Sequence, residues 1–120
     1  MWPEHRERLK MIGVDQIRAI AMSLPQVEEG PPVRAARRIA SFKVGGKSFL
    51  GVETGGLTMT VSRPESDAKA LAAEHPETYE EIWKNRKILV GLRADLSKLP
   101  AHSARELIER SWRHTMATHS

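Results

Sequence analysis

The chain has no cysteine. That excludes a disulfide framework, thiolate metal sites and cysteine nucleophiles, and it is compatible with a reducing cytosol. Aromatics are few, with two Phe, one Tyr and three Trp among 120 residues. No apolar run approaches the length of a membrane span. Residues 1–13 are charged and lack an apolar signal region, so they read as an N-terminal extension ahead of one domain over 14–118. A cytoplasmic protein is expected. No internal repeat or low-complexity segment stands out.

Charge is only mildly one-sided. Residues 1–60 hold 9 Lys and Arg against 6 Asp and Glu, and residues 61–120 hold 10 against 9. The net charge of +4 suits an anionic partner such as nucleic acid, but an Arg excess that only keeps a domain soluble looks the same.

Gly45-Gly46 is the clearest local signal. The pair sits between two β-rich runs, Arg38 to Val44 and Lys47 to Glu53, and supplies the positive φ angles of a two-residue primed turn. A two-residue loop sets Val44 opposite Lys47, Phe42 opposite Phe49 and Ala40 opposite Gly51. The two Phe residues then make a cross-strand pair on one face. Thr54-Gly55-Gly56 turns the chain again. Leu57, Met59 and Val61 alternate with Thr58, Thr60 and Ser62 as a half-buried strand.

Helical stripes frame these strands. Val14, Ile17, Ile20, Ala21 and Leu24 repeat at helical spacing, with Asp15 near the N-terminus and Pro25 as a stop. Residues 26–37, with Gly30, Pro31 and Pro32, read as an irregular loop. Ser62 and Glu65 have the spacing of a capping box and predict a helix ending at His75-Pro76. Residues 77–85 fit a helical turn or a short strand. Lys87 to Arg93 reads as a strand. A terminal helix carries Leu107, Ile108, Trp112 and Met116 on one stripe, with a second capping-box spacing at Ser103 and Glu106.

Catalytic and metal signals are weak. His5, His75, His102, His114 and His119 form no i, i+4 pair. Glu28-Glu29 and Glu80-Glu81 are neighbours only in sequence. Gly46-Lys47-Ser48 lacks the upstream glycine and following helix of a phosphate-binding loop. No enzyme activity, cofactor or metal is expected. Seven basic residues are the candidate site: Arg34, Arg37 and Arg38 before the first strand, Lys43 and Lys47 beside the tight turn, and Arg86 and Lys87, next to Lys84, before the late strand. They suit phosphate contacts. Lys and Arg at such positions also protect sheet edges from aggregation.

Helix, three-strand meander, helix, one or two strands, helix predicts an α+β two-layer sandwich with helices on one face of an antiparallel sheet. This chain resembles the MmcQ/YjbR-like proteins over roughly residues 14–116. The likeness rests on Ser23-Leu24-Pro25 with Val27-Glu28, the hairpin from Phe42 to Phe49, the Pro-containing helix after the third strand, and the segment Glu106 to Trp112. The chain departs from the pattern at Trp83-Lys84-Asn85-Arg86-Lys87, where many members carry an Asn-Lys pair followed by Trp. The resemblance implies an α-β(3)-α-β(2)-α order, similar to type III secretion chaperones and to a double-wing DNA-binding domain. It therefore implies DNA binding. The alternative is a protein-interaction or chaperone-like module that binds a peptide on its sheet, as a monomer or weak dimer away from any membrane.

Overall fold

The computed structural model describes residues 12–32, 34, 37–53 and 55–119. Most of the extension expected over 1–13, together with His5 and Thr54, lies outside them. Three helices, α1 (Val14–Met22), α2 (Glu65–Glu74) and α3 (Ala101–His119), accompany six strands. The strands are β1 (Val27–Gly30), β2 (Arg38–Val44), β3 (Lys47–Glu53), β4 (Thr58–Val61), β5 (Tyr79–Lys84) and β6 (Ile88–Asp95). They form one antiparallel sheet in the order β1-β2-β3-β4-β6-β5. The helices cover one face, giving the expected α+β class. None of the described helices is long and apolar enough to cross a membrane.

The Gly45-Gly46 turn forms as its composition dictates, with φ of 59° and 82°. Val44 faces Lys47, and then the register slips. Lys43 pairs with Ser48, but Phe42 pairs with Leu50 and Ala40 with Val52. Phe49 is the extra residue of a β-bulge, so the expected Phe42–Phe49 pairing is corrected. The bulge turns both Phe49 and Leu50 inward, and both are buried along with Phe42. The core face continues through Val52, Met59, Val61 and Leu92, against Ile17, Ala104 and Ile108 from the helices.

Three local expectations change. The segment read as an irregular loop contains β1, whose Val27 packs on the core while Glu29 takes Arg18 of α1 at 2.9 Å. That ion pair fastens an edge strand of low β-propensity to a helix. The ambiguous segment 77–85 is β5, held by pairing with β6. Neither capping box forms. Helix α2 starts at Glu65 behind Pro64, and Ser62 uses its N–H elsewhere, donating to Ser111 Oγ at 2.8 Å. Ser103 lies inside α3, which starts at Ala101.

Ser111 joins the layers. Its buried hydroxyl donates to the Phe49 carbonyl at 2.5 Å while accepting from Ser62 N–H. Trp112, expected on the buried stripe, is half-buried, and its indole N–H donates to the Pro25 carbonyl at 3.0 Å. Burial therefore ranks the helix positions. Ile108→Ala should cost about 2–5 kcal/mol, because the site is closed to solvent. Ser111→Ala should cost about 0.5–1.5 kcal/mol, because the hydroxyl's bonds to both groups are lost while Ser62 N–H still donates to the Phe49 carbonyl at 3.3 Å. Arg110→Ala, paired only with exposed Glu106, should stay within about 0.5 kcal/mol. Urea midpoints of the three variants check the ranking, and equal midpoints would contradict it.

Candidate nucleic-acid interface

Strand direction decides where the basic residues gather. Neighbours alternate across the sheet, so β2 and β5 run the same way and β3 and β6 return. The β2–β3 and β5–β6 turns therefore project from the same end. Three strand spacings separate them, roughly 14 Å, and sheet twist splays them further. Lys43 and Lys47 flank the first tip; Lys84, Arg86 and Lys87 form the second.

The second tip is also a primed turn, built without glycine. Asn85 and Arg86 have φ of 53° and 61°, and Lys87 N–H donates to the Lys84 carbonyl at 3.1 Å. Asn tolerates this left-handed region; Arg is strained in it. All five tip cations are exposed, and none makes an ion pair or side-chain hydrogen bond with a described residue. Glu28 stands across from Lys43 on β1 and offsets part of the first tip's charge.

The remaining predicted residues lie elsewhere. Arg34, Arg37 and Arg38 sit at the opposite end of β2, about 20 Å from the turn for a seven-residue strand. Arg34 and Arg37 are exposed, and Arg37 has φ of 54°. Arg38 is already engaged. Its side chain lies across Gly51, where any side chain would collide with it, and reaches Glu53 at 3.8 Å. The seven residues chosen from sequence thus do not form one patch. Lys43, Lys47, Arg86 and Lys87 share an end; Arg34, Arg37 and Arg38 do not join them.

A cluster that the sequence reading missed occupies the helix-free face. Glu53 is buried and accepts from Thr58 Oγ1 at 2.9 Å and Thr60 Oγ1 at 3.1 Å. Arg38 and Arg93 each stand 3.8 Å from its carboxylate, and Arg93 also reaches Glu80 at 3.3 Å. The available signal was a charged residue, Arg93, directly after the run Ile88-Leu89-Val90-Gly91-Leu92. Burial pushes the Glu53 carboxyl above the usual carboxylate range; the two threonine hydrogen bonds and the guanidiniums of Arg93 and Arg38 oppose that without cancelling it. Among the described residues no three His, Asp or Glu side chains are grouped to hold a metal.

An antiparallel sheet backed by helices, with two basic tips at one end, defines a small α+β domain. A family model described as YjbR matches residues 22–114, and the chain belongs to that family. No curated protein matches the chain. Its fold is similar to the crystal structure of the Deinococcus radiodurans protein DR2400, which carries the family-model domain DUF419. Identity is 21%, the match covers 85% of this chain and 77% of that one, and the TM-score is 0.70.

The raised Glu53 pKa has a sign that can be tested. The unfolded chain releases this proton at lower pH than the folded one. Between the two pKa values the folded state therefore binds more protons, and stability falls as pH rises through that window. Denaturation midpoints followed upward from the ordinary glutamate range should show this decline in the wild type. Glu53→Gln should lack it, and identical pH profiles would contradict the assignment.

Proposed function

We propose that this protein is a nucleic-acid-binding module, without catalysis, that holds duplex DNA by phosphate contacts from its two hairpin tips. The observation that carries the reading is the shared end of the sheet. Two separate turns present five cations there with no partner among the described residues. An unpaired, exposed guanidinium or ammonium is free to displace a counterion from a phosphate. Arg86 adds to the argument. A glycine would hold the same φ of 61° at less cost, so an arginine there trades backbone comfort for charge at the tip. Sequence preference should be small, because phosphate contacts carry no sequence information directly.

A peptide-binding reading has one observation of its own. Ile88 and Val90 on β6 are 62% and 48% exposed, next to the edge strand β5. Such a surface suits an added strand or an extended segment. The tip cations favour the first reading.

The test is a fluorescence anisotropy titration of labelled duplexes at several salt concentrations. Log affinity should fall linearly with log salt. The double substitution Lys43→Ala/Lys47→Ala should weaken binding to different sequences alike, with the slope shallower by about one unit for each lost phosphate contact. No binding at low salt would discard the DNA reading and promote the peptide one.

Arg86→Gly separates charge from fold. It should weaken DNA binding while stability holds or rises by up to about 1 kcal/mol, because glycine relieves the left-handed strain. A variant that loses stability and keeps its affinity would move the site away from this tip.

A further inference from the structure

The helix-free face carries a concavity of about 370 Å³, within the lower range of small-molecule sites. Arg38, Glu53, Thr60 and Arg93 line one side, and Ile82 and Val90 the other. A side chain at Gly51 would strike Arg38, and one at Gly91 would come within 2.6 Å of the Val61 carbonyl.

Donors outnumber acceptors in this hollow. Glu53 spends both carboxylate oxygens on threonine hydroxyls, Oε1 on Thr58 and Thr60 and Oε2 on Thr60. The guanidiniums stay at 3.8 Å, beyond hydrogen-bond reach. Arg93 Nε is buried and has no hydrogen-bond partner. Arg38 makes no side-chain hydrogen bond to any described residue, although its side chain is only 20% exposed. Glu80 takes only the outer Nη1 of Arg93 and is itself 68% exposed. A buried charged donor without an acceptor is costly, and a native structure that keeps one calls for an explanation.

We infer that this hollow binds a small organic carboxylate. Its carboxylate oxygens would accept from Arg93 Nε and the Arg38 guanidinium, and a short apolar tail would lie on Ile82 and Val90. A guanidinium fork matches a carboxylate in shape and charge. The site is independent of the hairpin tips and of the DNA reading.

Isovalerate is a suitable probe, with isovaleramide as its neutral counterpart. Both would be titrated into the full chain at constant ionic strength, with amide resonances followed by NMR. Isovalerate should shift the signals of Gly51, Val90 and Gly91 in a saturable way, and isovaleramide should not. Arg93→Met, which keeps the aliphatic stem, should weaken isovalerate by about tenfold or more, the loss of a charge-assisted hydrogen bond. Should that variant fail to fold, Val90→Asp supplies the second test. Val90 is 48% exposed, and a like charge there should abolish binding. Lys43→Ala/Lys47→Ala should bind isovalerate as the wild type does. Equal shifts from isovaleramide, no saturable shift from isovalerate, or unchanged affinity in the folded Arg93 or Val90 variants would overturn the inference.

Discussion

The hydroxyl of Ser111 holds the two layers in register. The bulge at Phe49 turns two consecutive apolar side chains inward and leaves a carbonyl on the core side of the sheet. The end of β4 leaves an N–H at Ser62. The two groups bond each other at 3.3 Å, and Ser111 of α3 gives each a second partner. Serine satisfies one as donor and the other as acceptor, at 2.5 and 2.8 Å. The helix is therefore fixed along its axis by hydrogen bonds as well as by the packing of Ile108. The slipped β2–β3 register is what this contact fits. A bulge-free pairing would turn Leu50 to the opposite face and displace the Phe49 carbonyl from Ser111.

The strand ends around Gly45-Gly46 were legible because a two-residue primed turn leaves little freedom in its composition. The register beyond it was not. Phe49, Leu50 and Val52 are all apolar, so no alternation marks the residue at which the ladder slips. β1 was hidden for a different reason. Val27-Glu28-Glu29-Gly30 has poor intrinsic β-propensity, and its stability comes from the β2 ladder and from Arg18, neither of which is local in sequence. The second tip carried no glycine, so Asn85-Arg86 gave no turn signal. The capping-box spacings were present but unused, since Ser62 was already bound to Ser111. Local motifs lose to tertiary partners wherever the partner lies in the other layer.

Charge shows the same division. Composition counts the cations, and the fold sorts them by partner. Arg18, Arg38, Arg63 and Arg93 each face a carboxylate. The tip residues face none among the described residues. Arg38 and Lys43 look alike in sequence, five positions apart on one strand. One lies over a glycine beside a buried glutamate and the other points into solvent. That distinction depends on Gly51 and Glu53, which belong to the next strand.

The shared end of the two tips follows from the connection through α2. β4 runs toward the end where Gly45-Gly46 lies. A tight turn from β4 into the next strand would have put the following hairpin tip at the opposite end. Instead α2 carries the chain back. Its ten residues span roughly 15 Å, close to the length of the short β4. β5 then starts level with the beginning of β4 and runs parallel to it, with β6 between them. Only after this return does the chain reach Asn85-Arg86 beside the first tip. The helix with the thinnest apolar face, burying Ala68 alone among its residues, thus has a geometric role beyond packing. It sets the direction of the second hairpin, and the pairing of the two basic tips depends on that direction more than on the residues within either turn.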